Sequence, residues 1–509
     1  MNSERSEMTL GAWIRDRGTV TPSRIAIDFQ DRTTTYQELN ERSERLAVWL
    51  LASGLRRGDR VATLTANCPE HVELFFACAK AGLILVPLNW RLAPAELAYQ
   101  LDDAEVAAVF FQRAHGALAE SALAEANVSP LRVLLEPEEL EGCVAETVEG
   151  SLPAVGDNDP LMIVYTSGTT GKPKGAVLTH ANCFWTNVSL DRTADVTTND
   201  VVLQMLPQFH VGGWNVQPLL AWWKGATVVL EPAFDADRAL ELIERKRVTT
   251  MMGVPATYLF MAEHPRFFEA DLSSLRQVIV GGAPMPDVLL RTWQERGVSI
   301  VQGYGLTEAA PNVLCLPPED AVRKVGFAGR PYMHVEVQLR DTATGEVIQG
   351  PGRGELLVRG PNVFAGYWRN PEATAKALKD GWLLTGDVAE RDAEGYYRIC
   401  DRTKDMYISG GENVYPAEVE AVLHEHPDVI EAAVIGVPHE RWGETGLAWV
   451  VLRPGSGASE AEVIDHCRAK LAKYKVPSGV RFIEALPRSA MNKVLKTDLR
   501  ERYECEREA

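Results

Sequence analysis

Between Leu161 and about Glu308, short apolar runs rich in β-formers alternate with segments whose apolar residues recur at helical spacing. Leu161–Tyr165, Val201–Leu206, Ala226–Leu230 and Gln277–Val280 read as strands, and the alternation predicts a mostly parallel sheet covered by crossover helices. Ala236, Ala239, Leu240 and Ile243 repeat at helical spacing ahead of Lys246-Arg247, so residues 235–247 read as an amphipathic helix. The segment before Leu161 has the same mixed character.

From about Val325 to Ile399 the texture changes. Short alternating runs such as Val335–Leu339 and Glu355–Val358 are punctuated by Gly350, Gly352, Gly354, Gly360 and Gly366, which predicts a small β-rich subdomain. After Asp401-Arg402-Thr403-Lys404-Asp405 the pattern is helix (417–426), strand (430–436), strand (446–452), helix (460–473) and strand (480–485). Ser459 with Glu462 makes a capping box for that last helix, and Val463, Ile464, Cys467 and Leu471 share one stripe. The fold class is therefore α/β. A large N-terminal domain combines mostly parallel α/β subdomains with the β-rich one, and a small α+β C-terminal domain forms a lid.

Length and composition narrow the function classes. The 509 residues are enough for about three domains or subdomains. With 46% hydrophobic and 24% charged residues the chain is ordinarily globular, leaving little room for disorder. Lys plus Arg number 52 against 70 Asp plus Glu, so the net charge of −18 repels polyanions and argues against nucleic acid as a partner. A phosphate ligand has to be captured locally. Eight cysteines without a Cys-x-x-Cys pair argue against a zinc site and read as reduced, buried thiols. Met1 to Glu7 has no basic segment followed by an apolar core, and no apolar run reaches about 18 residues, so a cytoplasmic protein with no membrane span is expected.

The richest chemical stretch is Tyr165-Thr166-Ser167-Gly168-Thr169-Thr170-Gly171-Lys172-Pro173-Lys174-Gly175, directly after a strand. Its glycines permit close backbone approach, its hydroxyls donate hydrogen bonds and its lysines carry positive charge, which together suit a polyphosphate. It is not a Walker A loop, because Thr166 stands where the first glycine would and Pro173 follows Lys172. A polar surface loop is the bland alternative.

This stretch resembles the phosphate loop of the adenylate-forming superfamily, which includes acyl-CoA synthetases, amino-acid adenylation domains and luciferases. The resemblance recurs in order along the chain, in Leu206-Pro207-Gln208-Phe209-His210-Val211-Gly212-Gly213, Gly281-Gly282-Ala283-Pro284 and Gln302-Gly303-Tyr304-Gly305-Leu306-Thr307-Glu308. It continues through Thr385-Gly386-Asp387, Asp401 to Asp405, Gly410-Gly411-Glu412-Asn413 and Pro487 to Lys493.

The resemblance implies a role for each motif. Thr166, Ser167, Gly168, Thr169, Thr170, Gly171 and Lys174 would hold the phosphates of ATP. Gly282, Ala283, Pro284, Gly303, Tyr304 and Gly305 would form the adenine side, Asp387 and Arg402 the ribose side, Glu308 would bind Mg2+, and Thr307 with Thr166 would help hold phosphate or metal-bound water. Each has a physical reason: glycine and tyrosine make a flat slot, Asp387 can accept from both ribose hydroxyls, and a hard cation prefers carboxylate and phosphate oxygens. Lys493 would place positive charge between carboxylate and α-phosphate as the transition state forms. Asn492 stands before it where the family usually has Gly, and Asn tolerates left-handed backbone. Lys493, His210, Thr166 and Glu308 are thus the implied catalytic set. Lys404 would be the hinge of a mobile lid, dividing the chain into residues 1–403 and 404–509. Gly410 and Gly411 would line a pantetheine tunnel, with Lys473 and Lys475 as weaker candidates for CoA phosphates.

His210 would border the acyl carboxylate and gate access. Amino-acid-activating relatives carry Asp in the corresponding motif, so His210 favours a plain carboxylic acid. The acyl pocket would comprise His210, Gly212, Trp214, Asn215, Gly253, Val254, Gly281, Gly303 and Val313, mainly apolar and without a cation for a second carboxylate. The implied function is an acyl-CoA synthetase acting on a hydrophobic acid, with ATP, Mg2+ and CoA, and a homodimer left open. The alternatives are an enzyme that loads a carrier protein, a thiolation-only relative and a nucleotide sensor.

Overall fold

The computed structural model describes residues 8–145, 150–166, 172–402, 405–409, 412–440, 442–488 and 494–508. Its centre is a nine-stranded sheet in the order Arg330–Pro331, Asn312–Cys315, Ile300–Gly305, Gln277–Val280, Thr250–Gly253, Val201–Gln204, Thr227–Leu230, Ile25–Phe29 and Arg32–Thr35. Pairing is parallel from Ile300–Gly305 to Ile25–Phe29 and antiparallel at both edges. All the strands predicted between Val201 and Val280 fall in it. The predicted helix is Ala236–Lys246, where the Asp235 side chain caps by accepting from Arg238 N at 2.8 Å and Ala239, Leu240 and Ile243 are buried.

A second, seven-stranded sheet runs Gly366–Tyr367, Lys174–Thr179, Pro160–Thr166, Ile84–Pro87, Arg60–Leu64, Val106–Phe111 and Leu131–Leu134, parallel from Pro160–Thr166 onward. Helix Pro69–Ala81 packs among the helices of this half and is buried all round, which suits its nearly continuous apolar sequence. Its charged residues are paired on the way in: Glu70 with Arg32 at 2.7 Å and Glu73 with Arg42 at 2.8 Å.

The β-rich subdomain is an antiparallel six-stranded sheet that includes Glu336–Arg340, Gly352–Arg359 and Trp382–Arg391, as the glycine-punctuated runs predict. A five-stranded sheet follows, and its core draws only on residues from Tyr407 onward. Here helix Pro416–His424, strands Val429–His439 and Gly443–Leu452, and strand Gly479–Phe482 match the expected order. The capping box is present, with Glu462 N donating to Ser459 Oγ and Ser459 N to Glu462 Oε2. The helix itself is shorter than expected. It ends at Lys470, because Leu471 turns to extended backbone (ψ 151°) and lets Leu471, Tyr474 and Val476 fold back on the core. Two thiols also depart from expectation: Cys143 is half-buried and Cys505 is exposed, while the other six are buried, and no disulfide joins any of the eight. Among the described residues no helix is long and apolar enough to cross a membrane.

Candidate active site

Three sheets send residues to one place at the C-terminal ends of the parallel strands, where open α/β folds present their ligand crevice. Thr166 ends strand Pro160–Thr166 of the seven-stranded sheet, and Tyr304 lies at the end of strand Ile300–Gly305 of the nine-stranded one. Glu308 follows in the short 3₁₀ turn Thr307–Ala309. The β-rich sheet contributes Asp387 from strand Trp382–Arg391.

Hydrogen bonds join these segments. Thr166 Oγ1 donates to Glu308 Oε1 at 3.5 Å, and Tyr367 Oη donates to the same oxygen at 2.7 Å. Burial raises the Tyr367 phenol above its usual range and the Glu308 carboxylate pushes it further, so this hydroxyl stays a donor. Lys174 Nζ lies 5.2 Å from the centre of the Tyr367 ring, a cation–π distance. On the other side Tyr304 Oη donates to Asp387 Oδ2 at 2.5 Å. Asp387 is only 6% exposed, and its turn is pinned by Asp387 N donating to Thr385 Oγ1 at 3.0 Å while Thr385 Oγ1 donates to Leu356 O at 2.6 Å. Gly386 between them has φ +71°, a conformation glycine adopts without strain.

The loop carrying Tyr304 and Glu308 is packed backbone on backbone. A Cβ on Gly305 would stand 1.9 Å from the Pro311 carbonyl oxygen, so only glycine fits. Gly282, Ala283 and Pro284 are exposed just beyond strand Gln277–Val280.

The histidine motif forms a compact turn after strand Val201–Gln204. His210 N donates to Pro207 O at 3.2 Å, Gly213 N to His210 O at 3.0 Å, and Trp214 Nε1 to Gln208 O at 2.6 Å. Phe209 packs against His210 with ring centres 4.6 Å apart and against Trp90 at 6.5 Å. Gly212 and Gly303 are half-buried, whereas Gly253, Val254 and Gly281 are buried. Trp214, Asn215 and Val313 have no exposed surface. Trp214 stacks on Phe75 at 4.5 Å and Asn215 Oδ1 accepts from Asn187 Nδ2 at 3.1 Å, so in this arrangement the three back the site rather than face open space.

In the C-terminal domain a cleft of about 420 Å³ is lined by Ser409, His439, Trp442, Arg468, Lys473 and Tyr474, among others. Lys473 is exposed at this cleft, but Lys475 Nζ is engaged 2.5 Å from Glu418 Oε1. Ser167, Gly168, Thr169, Thr170, Gly171, Lys404, Gly410, Gly411 and Lys493 lie outside the described residues. Arg402 pairs with Asp387 in backbone register, and its side chain is likewise outside the description. Tyr367 is the site residue that sequence reasoning missed. An aromatic residue in a β-rich stretch carries no local signal, and only the pairing of Gly366–Tyr367 with Lys174–Thr179 brings it to Glu308.

Among the described residues no group of three or more His, Cys, Asp or Glu side chains is placed to hold a metal ion by itself. A divalent cation at Glu308 would find the carboxylate and the Thr166 hydroxyl, both oxygen donors, and take its remaining ligands from phosphates. That donor set fits Mg2+.

Residues 14–368 match the family model described as AMP-binding enzyme, and residues 418–493 match AMP-binding enzyme C-terminal domain. A feruloyl-CoA synthase from an Amycolatopsis species is 44% identical, over 97% of this chain and 99% of its own. An indoleacetate–CoA ligase from Aromatoleum aromaticum is 42% identical, over 97% and 98%. The crystal structure of ATP-bound MatB from Rhodopseudomonas palustris superposes with a TM-score of 0.91 at 34% identity, over 98% of this chain and 99% of its own. Apo MatB gives 0.81, so this chain's arrangement is nearer the ATP-bound one.

Proposed function

Since this chain belongs to the AMP-binding enzyme family and is an ATP-dependent, AMP-forming acid–CoA ligase, we propose that its acid is hydrophobic and of the aryl class. The carrying observation is the set of residues assigned to the acyl side, which contains no Lys or Arg to neutralise a second carboxylate; Arg91, near Phe209, is exposed and lies over the rings of Trp90 and Phe209 at 4.7 and 5.9 Å from their centres. The two relatives named for aryl acids support the same class.

Two displacements share the site. In the first, a carboxylate oxygen attacks the α-phosphorus of ATP and pyrophosphate leaves, giving an acyl-adenylate. In the second, the CoA sulfur attacks the acyl carbon and AMP leaves. Asp387 holds the ribose hydroxyls, and Tyr304 occupies one of its carboxylate oxygens, fixing the direction of the remaining lone pairs. Glu308 and Thr166 would hold Mg2+, which supplies charge neutralisation to the phosphates when bound. Tyr367 orients Glu308 and Lys174 adds positive charge nearby. His210 borders the substrate carboxylate, and Lys493 brings positive charge to the reacting oxygens.

For the second displacement the lid turns about Lys404, bringing Gly410 and Gly411 beside the pantetheine arm. Lys473 at the C-terminal cleft meets the CoA phosphates, and Lys475, already paired with Glu418, and Arg468, paired with Asp465 at 2.6 Å, rank behind it.

The test is kcat/KM for CoA-thioester formation across aryl acids, fatty acids of increasing length and dicarboxylic acids. Aryl acids should exceed dicarboxylic ones by at least about tenfold, the scale of one unpaired group in a binding pocket. A dicarboxylic acid as best substrate contradicts the reading. Acyl-adenylate accumulating in the presence of CoA would point to a carrier-protein acceptor.

A further inference from the structure

The histidine loop is held from outside its own sheet. Asn67 lies between strand Arg60–Leu64 and helix Pro69–Ala81, in the seven-stranded half of the molecule, and is 2% exposed. Its Nδ2 donates to Leu206 O at 2.9 Å and to Glu231 O at 3.1 Å, and its Oδ1 accepts from Gln208 N at 2.9 Å. Asn67 N donates to Pro232 O at 3.2 Å. Glu231 and Pro232 follow strand Thr227–Leu230, and Leu206 and Gln208 immediately precede Phe209 and His210. One buried amide therefore bonds the ends of two strands of the nine-stranded sheet, across 139 to 164 residues of sequence.

We infer that Asn67 is a positioning residue for acid recognition: it sets the place of Phe209 and His210 by fixing the backbone just before them. The inference rests on the proposed reading that His210 borders the substrate carboxylate. The loop between Gln208 and Gly213 is too tightly bonded to absorb a shift, because His210 N is tied to Pro207 O and Gly213 N to His210 O. A Cβ on Gly213 would meet Pro207 O at 2.4 Å, which shows how close that turn already is. Removing the amide strands the buried Gln208 N–H and withdraws a donor from the buried Glu231 carbonyl and one of the two donors, the other being Gln204 Nε2, from the half-buried Leu206 carbonyl, so the Leu206–Gln208 backbone moves and carries His210 with it. Nucleotide binding should be spared. Tyr304, Glu308 and Asp387 stand on other elements, and none is bonded to Asn67 among the contacts that hold them.

The experiment measures KM for the acid and for ATP in Asn67→Ala, Asn67→Ser and His210→Ala, together with AMP affinity and the order of preference among acids. Asn67→Ser keeps a small polar group and serves where Asn67→Ala folds poorly. Expected are a rise in acid KM of about tenfold or more, on the scale set by misplacing a binding group by an ångström, and a changed acid preference. KM for ATP and AMP affinity should stay within about twofold, since hydrogen-bond losses are local in effect. An unchanged acid KM overturns the inference, as does an equal rise in both KM values, which marks a general structural role. If His210→Ala raises acid KM and the Asn67 variants do not, only the inference fails. If His210→Ala also leaves it unchanged, the acid-side reading itself fails and the inference with it.

Discussion

Alanine at Gly305 is the most exacting probe of how the site is built. The added Cβ would lie 1.9 Å from the Pro311 carbonyl oxygen and 2.7 Å from its carbon, where ordinary contact begins at 3.4 Å. Both partners are backbone, so no rotamer relieves the clash and the two sides of the turn must part by more than an ångström. Leu306 N donates to Pro311 O at 3.1 Å across the same turn, and that bond is lost. Overpacking costs about 1–3 kcal/mol and the hydrogen bond about 1 kcal/mol more. Tyr304 and Glu308 flank this position, so both move, and a displacement of that size costs about 10²-fold in rate. Gly303 is the control two residues earlier: its Cβ would meet nothing closer than Leu314 O at 3.6 Å. Pyrophosphate exchange into ATP reads the adenylation step. Gly305→Ala should lose about a hundredfold, whereas Gly303→Ala, where no backbone has to move, should keep its thermal stability and lose far less of the exchange rate. Exchange by Gly305→Ala within about threefold of the parent, or an equal loss in both variants, would refute this packing argument.

Other consequences are as open to measurement. Glu308→Gln keeps an acceptor for Tyr367 but removes the charge, and should slow adenylation about a hundredfold while thioester formation from presynthesised acyl-adenylate stays near the parent rate. Asp387→Asn should raise KM for ATP by about tenfold or more, as hydrogen bonds to a charged group contribute about 1.5–3 kcal/mol; steady-state kinetics at varied ATP decides. Lys473→Ala should raise KM for CoA about threefold to fivefold, the scale of one exposed charge, and more than Lys475→Ala, whose ammonium already faces Glu418. Burial pushes His180 from the ordinary 6.5 down to about 4, opposed weakly by Asp159, and Leu10 N donates to its Nδ1 at 3.2 Å. The unfolded chain then binds the extra proton between those values, so this contribution to stability is complete above pH 6.5 and lost as pH falls toward 4. Urea midpoints at pH 5 and 7 should differ less in His180→Asn than in the parent.

The local elements were legible where side-chain spacing alone decides them. Asp235 ahead of Ala239, Leu240 and Ile243 announces both a cap and a buried face, and helix Ala236–Lys246 has both. Gln277–Val280 is a strand as read, because four consecutive apolar or amide residues there are buried on both faces. What spacing cannot carry is pairing across long separations. Ile25–Phe29 joins the nine-stranded sheet beside Thr227–Leu230, some two hundred residues on, and nothing local to either strand announces it. The same limit hid Tyr367 and Asn67, single polar contacts that acquire meaning only when two sheets meet. At Leu471 the helical stripe continues in sequence, but packing of Tyr474 and Val476 onto the C-terminal core ends the helix first. The site residues that were legible, Thr166, Tyr304, Glu308 and Asp387, each sit in a motif with unusual glycine or hydroxyl content, and these are the ones the fold brings together.

The most direct measurement follows nucleotide and thioester products together, with purified protein, ATP, Mg2+, CoA and a panel of hydrophobic carboxylic acids, by liquid chromatography and mass spectrometry. Acyl-CoA should form in equal amount with AMP and pyrophosphate, dependent on all of the substrates. ADP in place of AMP, or AMP release with no CoA thioester from any acid on the panel, would contradict it.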